Sequence, residues 1–433
     1  MNEIVPTHLL LNSDSPYDDR MSFIVDTMRE MSRISDPQEL VRVYGARMRQ
    51  VMQIDGMVSL SRRGLQPPHY RITRSSRWEK AVNPWTEKNR LPLLDSGLLG
   101  ELIYGDQPVI IDELEVAPDD PAADYLAGMK SIMAIPLYEH GTAVNMAVLM
   151  RNVPFGFPRE RLPVHVWMGN LFGRATQTLV LSGEVTRAYD AVERELKAVA
   201  DIQRSLLPAE LPAIPNLELA VHYQTSRHSG GDYYDFFKLP DDRWGILMAD
   251  VSGHGTPAAV LMAITHTIAH IASDPPVSPA QMLGAINARL ARTYTSGSGS
   301  FVTAFYGIFD SSSRTLLWSN AGHPPPRGRR ADGSLGSLPL AQNLPLGIEG
   351  REDFVEQSTQ LLPGDLILFY TDGITEARGP NGDMFDIERL DAVLGAGAES
   401  AADAIDKTLA AVNAFTDNRP LTDDRTLLAA MVK

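Results

Sequence analysis

"DLILFYTDGITEA", residues 365–377, runs the apolar stretch Leu366–Tyr370 into Thr371, Asp372 and Gly373. A short apolar run bounded by turn residues predicts a buried strand ending at Asp372. A carboxylate buried at a strand end costs several kcal/mol unless a cation or strong donors meet it. Asp-Gly is also an ordinary turn signal, so the stretch alone leaves Asp372 as either a turn residue or a ligand.

The same arrangement, an Asp at a strand edge beside a small or turn-forming residue, recurs outward from it. Asp232 stands in "SGGDYYDFF", Asp250 in "ILMADVSGHG", and Asp423 with Asp424 in "LTDDRTLL". Carboxylates this far apart in sequence are how an all-oxygen metal cage is normally assembled. Mg²⁺ and Mn²⁺ prefer such ligands, and four or five aspartates suffice for two ions about 3.5 to 4 Å apart.

Composition narrows the alternatives. The chain of 433 residues carries a formal charge of -15, which opposes a nucleic-acid-binding role because that needs a basic face. It has no cysteine, which excludes disulfides, thiolate nucleophiles and cysteine-ligated zinc. The start, "MNEIVPTHLLLNSDSP", has no signal-peptide pattern, and no stretch approaches 18 uninterrupted apolar residues. A cytoplasmic protein without a membrane partner is the expectation.

The expected organisation is α+β. Residues 1–19 read as a flexible N-terminal tail. Helices follow over "MSFIVDTMREM" and "SDPQELVRVYGARMRQVMQ", the second capped by Asp36 with Pro37 in its first turn. Strands at "GMVSLSRRG" and "HYRITRSS", a hairpin over "SIMAIPLYEHGTAVNMAVLMRN" and a closing helix over "PVHVWMGNLFGRATQTLVL" complete a segment, residues 20–182, that resembles a GAF sensory domain. The same segment also fits a domain that only dimerises. Residues 183–210 form a linker helix in which Val185, Tyr189, Val192, Leu196 and Val199 keep heptad spacing. Ile202 breaks that spacing and Pro208 closes the helix, so a dimeric coiled coil with a local slip and a plain amphipathic helix both remain open. Clustered strands and paired helices over residues 211–433 predict two sheets covered by helices.

With "IQRSLLP", "SRHSGGDYYDFF", "ADVSGHGTPAAVLMA", "FVTAFYGIFD", "SNAGHPPP", "LPLGI", "LFYTDGITEARGPNGDMFDIERL" and "DDRTLLAAMV" in this order, the chain resembles the PPM family of serine/threonine phosphatases (protein phosphatase type 2C), and within it the RsbU/SpoIIE-like branch. The resemblance implies an αββα sandwich with a two-ion Mn²⁺ or Mg²⁺ centre. It assigns Asp232 and Asp250 to the bridged pair, with the Val251 carbonyl beside them, and Asp372 and Asp423 to the first ion. Asp424 is a supporting residue where many relatives have asparagine.

The resemblance also implies a phosphate-binding role for Arg227, whose alternative is an exposed strand arginine. For His254 it implies proton donation to the leaving group or support of its loop, while His323 reads as structural. Gly231 stands where eukaryotic relatives carry a glutamate ligand, Ser229 replaces a usual aliphatic residue and Asp386 replaces a common glycine. The implied reaction is attack by a metal-activated hydroxide on phosphoserine or phosphothreonine of a regulatory partner, an anti-sigma-factor antagonist of STAS type, under control of the GAF-like domain in a homodimer. A catalytically weak signalling or binding module and a nucleotide cyclase are the alternatives.

Overall fold

A computed structural model describes residues 17–272, 278–297, 299–339 and 343–433. The chain divides into two compact units, with the division after Tyr189. Residues 1–16 of the expected tail lie outside the described residues. Residues 17–19 are not tail, because helix α1 already begins at Tyr17, with Asp18 and Asp19 placed favourably in its first turn.

The first unit holds α1 (Tyr17–Ser32), α2 (Pro37–Val51), β1 (Gly56–Ser61), β2 (Tyr70–Ser75), β3 (Leu93–Leu94), α3 (Leu98–Gly105), β4 (Val109–Ile111), α4 (Ala123–Leu126), β5 (Ser131–Glu139) and β6 (Thr142–Arg151). Asp36 caps α2 by accepting from the Glu39 amide, as its sequence predicts. The strands form one sheet in the order β3-β2-β1-β6-β5-β4. Alternation along β5 sends Ile132 and Ala134 into a core with Leu99 and Ile103, and Met133 and Ile135 into another with Leu149 and Phe157. The sheet is therefore covered on both faces.

The expected closing helix and connector form a single helix, α5 (Leu162–Ser205). It passes through Ile202 unbroken and ends three residues before Pro208. The slip in heptad spacing thus changes which face is apolar without interrupting backbone hydrogen bonding.

The second unit contains β7 (Leu217–Gln224), β8 (Tyr233–Lys238), β9 (Arg243–Val251), α6 (Thr256–Ala272), α7 (Pro279–Thr293), β10 (Val302–Asp310), β11 (Thr315–Ala321), β12 (Arg327–Arg329), β13 (Leu335–Ser337), β14 (Gln357–Gln360), β15 (Leu366–Tyr370), α8 (Asp372–Thr375), α9 (Asp386–Gly395), α10 (Ala401–Phe415) and β16 (Arg425–Val432). Two antiparallel five-stranded sheets result, β14-β11-β10-β9-β8 and β13-β12-β15-β16-β7.

Side-chain parity decides how they stack. On β15, Ile367 and Phe369 enter a core shared with β9, β10, α6 and α7, whereas Leu366, Leu368 and Tyr370 pack with Leu390, Ala404 and Ile405 of α9 and α10. Phe369 meets Phe305 of the facing sheet at 5.2 Å between ring centroids, edge to face. The result is helix pair, sheet, sheet, helix pair. Burial of an aromatic such as Phe369 contributes about 1.5–3 kcal/mol, so this seam fixes the spacing of the sheets and of the loops at their ends.

Asp386, where glycine is common in the resembled family, opens α9 with φ of 63°, a left-handed conformation in which glycine is favoured. Its carboxylate accepts from the next amide, Ile387, at 2.6 Å, the kind of local hydrogen bond that lets Asp tolerate this region.

Candidate metal and phosphate site

Each predicted aspartate sits where a strand of the second unit ends or begins. Asp232 precedes β8, Asp250 is the penultimate residue of β9, Asp372 follows β15 as the first residue of α8, and Asp423 and Asp424 precede β16. The apolar strands carry these acids to one end of the two sheets, and their mutual electrostatics show the convergence. The carboxyl of Asp250 is held far above its usual range, first by burial and then by the charges of Asp232, Asp372, Asp423 and Asp424. That of Asp372 is pushed up to about 6 by burial, then by Asp423 and Glu376.

Asp232 is the most confined of the set, with 1% of its surface exposed. Burial drives its pKa upward, against hydrogen bonds from Thr426 and Thr371 that favour the ionised form. Its Oδ2 accepts from the Thr426 hydroxyl at 2.6 Å and the Thr371 hydroxyl at 2.8 Å. Both threonines belong to the opposite sheet's side of the site, and neither was singled out by the sequence. Their signal was only a Thr beside an Asp in "YTDG" and "DDRT".

Asp424 has a different role from the other acids. One oxygen accepts from the Ser226 amide at 2.7 Å and from its hydroxyl, and the other accepts from the Gly231 amide at 2.7 Å. It ties down the loop between β7 and β8. Asp423 is exposed and accepts from the Asp424 amide at 2.9 Å. Burial raises its pKa, while the Asp424 amide and nearby His254 act in the opposite direction.

Two glycines at the site are required by backbone carbonyls beside them. A Cβ at Gly373 would lie 1.9 Å from the Asp424 carbonyl oxygen, so close passage of backbone demands glycine. A Cβ at Gly231 would lie 2.6 Å from the Val251 carbonyl oxygen, so no glutamate can stand there without moving that carbonyl.

Arg227 lies on the exposed loop after β7 rather than in a strand. His254 is exposed in the loop leading into α6. His323 is buried, its Nδ1 bonded to the Thr303 hydroxyl at 2.9 Å, and burial pushes its pKa down to about 3, in keeping with a structural role. Glu376, four residues after Asp372, is a further carboxylate that the sequence reading missed, although i, i+4 spacing in "DGITE" was its signal.

Gln203, near the end of α5, was also missed as a site residue. Its side chain is buried, donating to the Gly230 carbonyl at 2.7 Å and accepting from the Gly230 amide at 3.1 Å. Glu193 of the same helix pairs with His228 at 3.2 Å. The loop carrying Arg227 and Asp232 is therefore held by α5 on one side and by Asp424 on the other.

Among the described residues, no Lys or Arg forms an ion pair with Asp232, Asp250, Asp372, Asp423 or Asp424. A set of mutually repelling, oxygen-only donors, buried at Asp232 and open to solvent at Asp423, fits a hard divalent cation. The one group of three whose donor atoms all lie within 4.8 Å of one another, among the described residues, is a different one, Asp235 with His266 and His270. Ions that retain several waters do not need so close a set of protein atoms.

Comparison with known proteins agrees with the reading of the sequence. Residues 240–433 match the family model of stage II sporulation protein E, a match that includes Asp250, Asp372, Asp423 and Asp424 and begins after Asp232. Protein IcfG of Synechocystis is 26% identical over 266 residues, 55% of this chain and 42% of IcfG. Phosphoserine phosphatase RsbU of Bacillus subtilis is 28% identical over 202 residues, 46% of this chain and 59% of RsbU. A solved structure of RsbU and RsbW domains from Mycobacterium tuberculosis is 27% identical, with a TM-score of 0.46 over 53% of this chain and 63% of that one. The chain thus spans about half the length of the curated relatives it matches. No described helix is long and apolar enough to cross a membrane. Residues 240–433 thus match the SpoIIE family model and are similar to the RsbU and RsbP phosphoserine phosphatases.

Proposed function

We propose that this protein is a metal-dependent protein serine/threonine phosphatase. The observation that carries the reading is the gathering of Asp232, Asp250, Asp372 and Asp423 at one end of the sandwich with no Lys or Arg ion pair among the described residues. In this reading Asp232, Asp250, the Val251 carbonyl, Asp372 and Asp423 hold two Mg²⁺ or Mn²⁺ ions, with Asp424 in support. Bound there, the ions supply Lewis-acid activation of water and screening of the phosphoryl oxygens.

The remaining steps fall to side chains. Thr371 and Thr426 fix the orientation of Asp232, and two charge-assisted hydrogen bonds of about 1.5–3 kcal/mol each oppose the burial that raises its pKa. Arg227, exposed on its loop, offers a planar fork to the substrate phosphate. His254 stands beside Asp423 and passes a proton to the departing serine or threonine oxygen. The substrate is a phosphorylated regulatory protein, an anti-sigma-factor antagonist of STAS type. Support for this partner comes from the resemblance to RsbU-like phosphatases, and a cytoplasmic location accords with it.

The N-terminal unit acts in this reading as a GAF-like sensor and the connector as a dimeric helix. Along α5, Val185 is 69% exposed and Val192, one heptad on, 55%, an apolar stripe suited to a second copy of the same helix. Gln203 then links movement of α5 to the Gly230 backbone, two residues from Asp232.

Four outcomes test these parts. Wild-type protein should release phosphate from a phosphoserine protein only with Mn²⁺ or Mg²⁺, and Asp372→Asn should reduce the rate roughly 100-fold or more, from loss of several kcal/mol of charge stabilisation. Wild type that binds these ions but releases nothing would reject the enzyme in favour of a binding module. Next, raised carboxyl pKa values mean that the native state binds more protons than the unfolded chain. In chelator, thermal stability should therefore fall as pH rises from about 4 through 6 and above, and added Mg²⁺ should flatten the profile; a flat profile in chelator would contradict the buried-carboxylate reading. Third, Gln203→Ala, or residues inserted between Val199 and Gln203, should change basal activity several-fold with metal affinity retained, and unchanged activity would remove α5 from the regulatory route. Finally, glutamate at both Val185 and Val192 should convert a dimer into a monomer in sedimentation. A wild-type protein that already sediments as a monomer would discard the dimeric helix.

A further inference from the structure

The second face of β8 carries another set of ligand-type side chains. Asp232 and Asp235 are an odd number of residues apart, so they project to opposite faces of the strand. Tyr234 shares the Asp232 side and meets Tyr223 of the other sheet at 6.2 Å between rings. Tyr233, Asp235 and Phe237 face α6 instead, where Tyr233 lies against His266 and Phe237 against His270. His266 and His270, spaced i, i+4 in "THTIAH", share one face of α6.

These side chains converge on one oxygen. Asp235 is buried, and its Oδ1 accepts from the Phe236 amide at 2.7 Å, which fixes the carboxylate plane. Its Oδ2 accepts from the Tyr233 hydroxyl at 2.5 Å, lies 2.8 Å from His270 Nε2, and lies 3.6 Å from His266 Nδ1. His266 Nδ1 also lies 3.1 Å from the Tyr233 hydroxyl, so the carboxylate, the phenol and both imidazoles form one connected polar cluster. The two imidazole rings stand 4.3 Å apart between centroids, and the three ligating atoms lie within 4.8 Å of one another.

We infer that Asp235, His266 and His270 form a binding site for a borderline transition-metal ion of the Zn²⁺ class, separate from the carboxylate cage. Two imidazoles and one carboxylate are a ligand set that Zn²⁺ and Co²⁺ accept and Mg²⁺ does not favour. Ligands about 2.0–2.2 Å from a tetrahedral ion stand a little over 3 Å apart, between the 2.8 and 3.6 Å separations observed here. His270 is 47% exposed, so the cluster reaches solvent on that side. Tyr233, whose phenol is kept protonated by burial and by the Asp235 charge, donates to Asp235 Oδ2 and so orients the carboxylate. The ion would join α6 to the edge strand β8, the two elements whose beginnings carry the His254 loop and Asp232. This inference goes beyond the phosphatase reading and stands without it.

The test uses the full chain in excess Mg²⁺. Titration with Co²⁺ should show one ion per chain with an imidazole-type visible spectrum, displaced by Zn²⁺. His266→Gln and His270→Gln keep a hydrogen-bonding group toward Asp235, and each should weaken Co²⁺ binding by at least about 10-fold with the circular dichroism spectrum unchanged. Asp372→Asn should bind Co²⁺ as the wild type does. No Co²⁺ bound in excess Mg²⁺, or equal binding by wild type and both glutamine variants, would overturn the site. Loss of the Co²⁺ signal in Asp372→Asn with retention in the histidine variants would do the same, by placing the ion in the carboxylate cage.

Discussion

A carboxylate with almost no exposed surface, held by two hydroxyls from across the sandwich, is the constraint around which the second unit is arranged. Asp232 belongs to the sheet containing β8 and β9, while Thr371 and Thr426 belong to the ends of β15 and β16. The Thr371 hydroxyl also accepts from the Thr426 amide at 3.0 Å, and the Thr371 amide donates to the Thr426 carbonyl at 3.1 Å. The threonines are thus fixed to each other before they meet Asp232. A carboxylate satisfied in this way tolerates burial, and it fixes the separation of the sheets at the one end where the other aspartates emerge. The aromatic contact between Phe305 and Phe369 does the corresponding work deeper in the core.

How much of this was legible in the sequence follows from the range of each interaction. Apolar runs and caps are local, so "DLILFYTDG" and the Asp36–Pro37 helix start predicted elements close to those observed, β15 and α2. The four strand-edge aspartates were legible because burying charge leaves a visible anomaly in an apolar pattern. The short strands β12, β13 and β14 were missed, since three or four residues carry no period long enough to read. α8 was read as a plain turn because Asp-Gly signals a turn whether or not one helical turn follows.

Partners across long sequence distances were the least legible. Gln203 looks like a solvated residue at the end of an amphipathic helix, and only the fold reveals that the Gly230 backbone fills both its hydrogen-bonding positions. Asp424 resembled another ligand for the opposite reason: its neighbour Asp423 shares its composition, while the Ser226 and Gly231 amides that occupy it lie almost 200 residues away. The glycines teach the same lesson. At Gly231 and Gly373 the sequence shows that a side chain is missing, but only the structure shows that carbonyl oxygens occupy the space.

Strand parity finally explains how one short segment, "GGDYYDFF", serves two surroundings. At an edge strand one face looks into the sandwich and the other onto a helix, and an odd spacing between two aspartates places one on each. Asp232 meets hydroxyls and other carboxylates, an oxygen-rich setting; Asp235 meets a phenol and two imidazoles. Because β8 separates them, the two acids cannot substitute for each other, and a divalent cation would be sorted between them by ligand chemistry rather than by charge. They are joined through three residues of extended backbone, so a displacement of β8 produced on the α6 face reaches Asp232 directly. Gln203, bonded to Gly230, acts on the same strand from its beginning. Both connections therefore bear on the position of a single carboxylate, the one least able to move without losing its hydrogen bonds.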